Sequence, residues 1–600
     1  MFKQKIEEDL KKIVRELGYS INDIVCDIPK NPAFGDYTSN VALQLANQSS
    51  DVSYQSSDKT DNQKKAPRVI AQEIESRIMS QESSKEYLEK VEVAGSGFLN
   101  FFIKPEALMA NLHQVCDYSS LVKPEVQLEE DKKKILVEYA HPNTHKAFHI
   151  GHVRNITLGE SISRLLEAAG NEVFRANYQG DIGLHVAKAL WGVKKLQSEG
   201  TELVNLSSLK QKAEFLGKAY SLGATAYEEN ETAKTEISDI NKKLYLKDPE
   251  VVQLWEQTRK WSLDYFDDIY QKFGVKFDRL FFESEVEVRG KELVKENIGK
   301  VFEEDDGAVI FRAEKHGLHT RVLLNKAGNP TYEAKELGLG EAEKEAFNFD
   351  KAVHVVGTDQ AGYLQVMFKA LEELDSWYKN REIHLSYGLV KLSTGKMASR
   401  TGNVVTFDWL FDEVKKRVGK IATSSATPRN DNIDSEELDD IVNKVSLGAI
   451  KFSMLKYSPS SDATFNIEKS VSLQGDSGPY VQYSYARAKS VLRNAKYDYQ
   501  PTPIKSGPTE ITGELEKEER DLLRQMEHFE FIVSKASDTY SPNTLAEYLL
   551  DLAKAFNLFY QKHQIISGSQ AELRLALTCG VAVILKQGLY ILGIESPERM

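Results

Sequence analysis

From Lys134 the apolar positions follow a repeating rhythm. Ile135 to Tyr139 is a short apolar run of strand character, a Pro-containing loop follows, and Ile162, Leu165, Leu166 and Ala169 then recur at helical spacing. The unit repeats as Glu172 to Ala176, NYQGDIG and a helix from Leu184, and again as Lys351 to Val356, GTDQ and a helix through Val366 to Leu374. Strands alternating with helices predict a parallel sheet whose ligands sit beyond the carboxyl ends of its strands, so these three loops are expected to line one site. Between the second and third units, Ala187 to about Asp278 is charged and helical in pattern, which predicts an insertion. After about Leu438 helical periodicity runs to the end and predicts an α-helical bundle.

Ahead of the sheet, MFKQKIEEDLKKIVRELG sets apolar residues at helical spacing among both charge signs, the pattern of a folded helix and not of a secretory leader. Gln48 to Ala66 is polar and Ser/Asp-rich, a surface loop inside a first domain. A boundary is expected between Ser119 and Lys134. The resulting division is 1–118, 130–430 with its insertion at 187–278, and 438–600.

Composition narrows the function class only in part. Six hundred residues exceed what one core can organise, and no run of about 18 apolar residues suggests a bilayer span. Cys26, Cys116 and Cys579 are too far apart for a CxxC-type knuckle, which predicts a reducing cytoplasm and no structural zinc. A net charge of −13 argues against indiscriminate nucleic-acid binding, but a local basic patch is compatible with it.

The candidate chemistry lies in the loops. The first reads Glu138-Tyr-Ala-His-Pro-Asn143-Thr-His-Lys146-Ala-Phe-His149-Ile-Gly151-His152, with a helix beginning at its end. Helix starts carry free N–H groups and partial positive charge, so phosphate is favoured there. Gly151 leaves room for a nucleotide, and the two imidazoles can donate to phosphate oxygens. His141, His145, His149 and His152 also have the spacing of one helical face, which could bind metal, but Pro142 and Gly151 argue against a continuous helix. Far downstream, STGKMASRTGNVVTF contains Lys396-Met-Ala-Ser-Arg400. Read alone it is a solvated basic turn; read with the first loop, its Lys and Ser suit charge developing on pyrophosphate.

HIGH at 149–152 resembles the first signature of class I aminoacyl-tRNA synthetases, and KMASR resembles the second, KMSKS. PNTHKAFHIGHVRN, NYQGDIG, PTYEAKELG, TGNVVTFDWL and GDSGPYVQYSYARAKSVL are similar to arginyl-tRNA synthetases in particular, and the match runs from about Ile24 to Met600. The resemblance implies an ATP site of His149, Gly151, His152, Lys396, Met397, Ser399 and Arg400. Lys146 would stand in for the lysine missing at Ser399. Arginine would be read by Glu138, Asn143, Tyr332, Glu336 and Gln360. The chain departs from the family at Glu336, usually Asp, at His141, usually small, and at Ala147, often Pro. The resemblance further implies tRNA contacts at Phe34, Asp36 and Asn40 near the elbow and at Tyr480, Tyr483 and Arg487 near the anticodon. Stacking of unpaired bases on aromatic and Arg planes suits those last three, although their spacing also suits helix packing.

The expectation is therefore an α/β multidomain protein with a Rossmann-like parallel-sheet core, an N-terminal α+β domain and a C-terminal helical bundle. By resemblance it is a cytoplasmic monomer that uses ATP with Mg²⁺ to form arginyl-adenylate, with no bound metal of its own, and passes arginine to the 3′ end of tRNA(Arg). Alternatives at this stage are another class I synthetase or a silent tRNA-binding paralogue.

Overall fold

In the computed structural model, which describes residues 2–21, 23–48, 65–116, 132–393, 405–424, 434–497 and 515–600, the three strand signals belong to one five-stranded parallel sheet. Its order is Glu382–Tyr387, Lys351–Gly357, Lys134–Glu138, Glu172–Gln179 and Arg279–Phe282. The chain starts in the middle at Lys134, winds outward through Glu172 and Arg279, then returns to the other side of the first strand. The direction of winding thus reverses between Lys134–Glu138 and Lys351–Gly357, the place where such sheets open a crevice for ligand. Glu138 and His354 are register partners at that reversal.

Local sequence explains the elements. Ile135, Leu136 and Val137 are buried, and a parallel strand covered on both faces needs such a run. The helix Ile150–Ala168 crosses beneath the sheet and is buried along nearly its whole length. A Cβ on its Gly159 would lie 2.1 Å from the ring of Tyr139, so only glycine admits the strand end there. The insertion comprises Leu184–Ser198, Leu209–Glu229, Glu231–Tyr245 and Pro249–Phe273. Asp248 caps the last of these with Pro249 in its first turn, and Gly274 closes it at φ 63°.

A small antiparallel sheet, Glu303–Asp305, Ala308–Phe311 and Arg321–Leu324, sits between the helices Glu283–Glu296 and Tyr332–Ala346. Its strands of three or four residues are too short to show a period of two in sequence. The N-terminal unit is a four-stranded antiparallel sheet, ordered Cys26–Asp27, Tyr37–Ser39, Phe98–Ile103, Leu88–Ala94, with helices packed on it. The polar stretch 49–64 and the boundary segment 117–131 lie outside the described residues.

The C-terminal region is helical: Ser435–Leu455, Gly478–Asn494, Lys517–Glu527, Phe529–Asp538, Pro542–Lys562 and Ala571–Ile591. Contrary to the sequence expectation, Ala571–Ile591 is long and apolar enough by length and composition to cross a membrane. Packing accounts for that character: Gly580 lies against Leu112 and Met526, and Gly588 against Leu549. One apolar core runs from Phe2 through the sheet to Ile594, joining all three regions.

Candidate active site

At the helix start following the first strand, His149 is the N-cap of Ile150–Ala168. Its Nδ1 accepts from Gly151 N at 3.1 Å, and His152 Nδ1 accepts from His149 N at 3.1 Å. The two rings stack at 3.8 Å. Burial, reinforced by the charge of Lys146, lowers His149 to about 4, and burial with the neighbouring His149 holds His152 well below the ordinary value. Both imidazoles are therefore neutral, and with Nδ1 accepting, the proton sits on Nε2 as a donor. Gly151 has a different reason from the one its sequence suggests: a Cβ there would lie 2.9 Å from His149 Cε1, so the residue makes room for the capping imidazole.

The histidine spacing does not create a metal site. His145, at φ 64°, is fully buried with Nε2 2.8 Å from Thr258 Oγ1 and its backbone N donating to Ser262 Oγ at 2.9 Å. It pins the loop to the insertion helix, whereas His141 turns toward Glu138. Asp181 of NYQGDIG serves a similar end, pairing with Arg259 at 2.7 Å and accepting from Ser284 N and Oγ. Lys146 points into the insertion, its ammonium 5.2 Å from the Tyr220 ring centre.

Lys396, Met397, Ser399 and Arg400 lie outside the described residues, but both flanks of their loop are placed. Upstream, Val390–Leu392 pairs in parallel with Ala463–Phe465. Downstream, Ile150 N donates to Val405 O at 3.0 Å and Phe407 N to Phe148 O at 2.9 Å, so the chain returns beside His149. Arg154, buried one turn into the same helix, donates through Nη2 to the carbonyls of Ser458, Pro459 and Ser461 and holds the segment leading to Ala463.

Across the crevice lies a wall of acids and rings. The helix Tyr332–Ala346 presents Tyr332, Lys335, Glu336 and Glu343. Tyr332 is 45% exposed, its ring tilted against that of Tyr363 with centres 5.2 Å apart, and Glu336 is half-buried and hydrogen-bonded to Tyr332. Desolvation, reinforced by the charge of Glu138, pushes Glu336 up to about 8. Asn143 faces Gly180, where a Cβ would lie 2.2 Å from Asn143 Oδ1 and 3.1 Å from Glu283 Oε1. Gln360 stands on the exposed turn after Lys351–Gly357 and donates to Asp359 at 3.3 Å, at the rim of the wall.

Glu138 has imidazole partners that its sequence context does not disclose. Its Oε2 lies 2.6 Å from His354 Nδ1 and its Oε1 3.1 Å from His141 Nδ1, so each oxygen faces one imidazole. Burial opposes its charge, yet His354 and His141 hold it far below the ordinary carboxylate range. Sequence reasoning also missed His354, Glu343 and Glu283. His354 shows only as one polar residue inside the apolar run KAVHVV, a signal that could have been followed.

The residues expected to meet tRNA separate. Phe34 is exposed, and Asn40 is an exposed residue whose side chain accepts from Gln44. Asp36 is fully buried, accepting from Ile103 N and pairing with Arg524 Nε at 2.6 Å, so it binds the C-terminal region instead of RNA. Tyr480 and Tyr483 are half-buried. Arg487 lies 4.6 Å from the Tyr483 ring centre and 5.0 Å from that of Tyr560, with Tyr560 exposed.

A doubly wound parallel sheet, with HIGH at the helix start after its first strand and the segment that follows the second signature running beside it from Val405, defines a class I aminoacyl-tRNA synthetase. The model for the catalytic domain of class I (R) tRNA synthetases matches residues 118–467. Those for the arginyl-tRNA synthetase N-terminal domain and the DALR anticodon binding domain match 1–103 and 481–600. An arginine–tRNA ligase from Porphyromonas gingivalis is 32% identical over 556 residues, covering 90% of this chain and 91% of its own. One from Bacteroides thetaiotaomicron is 33% identical over 559 residues with the same coverage of both chains. The arginyl-tRNA synthetase of Thermus thermophilus superposes over 100% of both chains with a TM-score of 0.80 at 25% identity. The chain belongs to the arginyl-tRNA synthetase family, and it is an arginine–tRNA ligase.

Proposed function

We propose that the crevice at the winding reversal binds ATP at its HIGH end and arginine at its acidic wall, so that the arginine carboxylate attacks the α-phosphate in line. The observation that carries this is the pair of stacked imidazoles at one helix start, whose Nδ1 atoms accept backbone N–H and so leave Nε2–H to donate. Preorganised neutral donors stabilise charge that develops on phosphate oxygens without first being neutralised by a bound anion. Lys146, Lys396 and Ser399 supply the remaining neutralisation, with Gly151, Met397 and Arg400 completing the nucleotide site. Mg²⁺ enters as part of the ATP substrate. A resident Mg²⁺ would need oxygen ligands; among the described residues the one group with ligand atoms close enough to share an ion is Glu138, Glu343 and His354, and both nitrogens of His354 already face carboxylates.

Asn143, Tyr332 and Glu336 form the arginine wall, with Gln360 at its rim. Glu336 meets the guanidinium, whose planar fork matches a carboxylate. The arginyl group then passes to the terminal adenosine 2′-hydroxyl of tRNA(Arg), whose anticodon stacks near Tyr480, Tyr483 and Arg487 and whose elbow lies near Phe34 and Asn40. The enzyme works as a cytoplasmic monomer, and its three free thiols suit a reducing compartment. ATP–pyrophosphate exchange with a panel of amino acids, with and without tRNA, tests the reading. Exchange with arginine alone among them is expected, and exchange with a different amino acid would overturn it.

A further inference from the structure

The imidazole of His354 is buried at the floor of the crevice between two acceptor-only groups. Nδ1 lies 2.6 Å from Glu138 Oε2 and Nε2 lies 2.7 Å from Glu382 Oε2, and the side chains of all three residues are 8% exposed or less. A neutral imidazole has one N–H and one lone pair, so it would turn a lone pair toward a carboxylate oxygen on one side. With both carboxylates ionised, only the imidazolium satisfies both contacts, and the lowered pKa of Glu138 and raised pKa of His354 agree with that pairing. The strand register fixes this arrangement, because Glu138 pairs with His354 and His354 with His384, while Glu382 begins the outer strand.

We propose that His354 is a positioning residue for arginine specificity: as an imidazolium clamped between Glu138 and Glu382, it cancels the charge of Glu138 and fixes its orientation, leaving Glu336 as the acid that meets the guanidinium. The inference rests on the reading that arginine binds against this wall. The groups facing the cluster are known from every side. The first strand and its loop bring Glu138 and His141; the helix Tyr332–Ala346 brings Tyr332, Glu336 and Glu343; the outer strand brings Glu382 and His384. Glu283, Tyr178 and Tyr378 complete the surroundings, and the Phe368 ring lies 5.1 Å from that of His354.

The count of acids explains why a cation is needed. Glu343 is buried with Oε1 unpartnered, and burial beside Glu138 keeps it protonated, as it also raises Glu336. Without the imidazolium, Glu138 would join these protonated acids. Arginine would then have to displace a second proton on entering. With it, Glu138 is ionised before arginine arrives and contributes one fixed, compensated charge.

The test is calorimetric titration of L-arginine into the full-length enzyme in two buffers of different ionisation enthalpy, which counts protons released per arginine bound. The wild type at pH 7 should release close to one, from Glu336. His354→Gln should raise the count toward two and weaken arginine binding at pH 7 by about tenfold for each unit by which the released Glu138 titrates above pH 7. The loss should recover as pH rises, with kcat at saturating arginine changed far less than KM. Glu138→Gln/His354→Gln removes the second titrating acid together with its partner, and it should return the count to the wild-type value. If His354→Gln does not fold, this double variant still decides the matter. A wild-type count and affinity in the folded single variant would overturn the proposal, and so would a count above the wild-type value in the double variant. Glu336→Gln is the control for the underlying reading: unchanged arginine affinity there means that arginine binds elsewhere, whatever His354 does.

Discussion

Glu336 holds a proton that arginine must displace. Its carboxyl, raised to about 8 from an ordinary 4.5, is largely neutral at pH 7, whereas the guanidinium is always charged and favours the carboxylate. Arginine affinity should therefore rise with pH, by up to about tenfold per unit below the raised pKa. The same shift acts on stability. The folded chain keeps a proton that the unfolded chain loses, so the contribution is full below 4.5 and lost as pH rises toward about 8. Bound arginine offsets that loss, and its thermal stabilisation should be larger at pH 8.5 than at 6.5. Glu336→Gln should abolish the difference and lower discrimination of arginine over citrulline, by about 10²-fold or more if the wild type leaves a buried carboxylate unpaired against the neutral urea. Equal kcat/KM ratios for the two ligands in variant and wild type would place the guanidinium elsewhere. The two signature histidines predict the opposite pH behaviour. With His149 lowered to about 4 and His152 held well below 6.5, neither should impose an acid limb between pH 6 and 8. Replacing either by Ala should still cut the activation rate by about 10²- to 10³-fold, as loss of one preorganised donor does. Exchange rates in stopped assays across that pH range would show both effects.

At the scale of elements, the arginine wall depends on how closely two helices approach. A Cβ on Gly338 would lie 2.4 Å from Val286 O and 2.9 Å from Gly290 N, so glycines allow Tyr332–Ala346 to touch Glu283–Glu296 backbone to backbone. Gly338→Ala should cost about 1–3 kcal/mol by overpacking and raise the KM for arginine, because Glu336 travels with the helix. An unchanged Tm with unchanged KM would show that the contact yields without moving the wall. Sequence disclosed part of this level. The strand and helix rhythm gave the sheet and the reversal point, since a parallel strand and an amphipathic helix each leave a period that one chain can show. It gave His149 and His152 because a helix start is local. It did not disclose that Glu138 turns to His354, since a register pairing across 216 positions has no local trace. Nor did it disclose the purpose of Gly151, which depends on where a neighbouring ring folds.

The whole molecule is held by contacts that one-dimensional domain limits hide. Asp36 pairs with Arg524, and Glu527 accepts from Phe2 N at 2.8 Å and Tyr37 Oη at 3.3 Å, so the N-terminal sheet rests on the helix Lys517–Glu527. Removing Arg524 strands a buried carboxylate, and Arg524→Ala should lower stability by about 3–5 kcal/mol, with Asp36→Asn in the same chain recovering part of it. Additive losses in the double variant would show that the pair is not coupled. The core continues from that interface to the catalytic helix, where Ser161 Oγ donates to Ile591 O at 3.3 Å, and Lys451 Nζ donates to the carbonyls of Phe273 and Gly593. A chain cut near Leu438 is therefore expected to lose its fold, which the absence of a cooperative thermal transition would show.

The shared core also sets an order in time. Leu592 and Ile594 are buried in the same apolar mass as Ile135 and Val137 of the first sheet strand. At about 5–20 residues per second, translation leaves the helix Ile150–Ala168, against which this segment packs at Glu160 and Ser161, waiting for tens of seconds before residue 594 can leave the exit tunnel and cover it. Through that interval the nascent chain shows apolar surface that a holding chaperone can recognise. Its need for such protection ends with the emergence of that closing segment rather than with completion of the catalytic sheet.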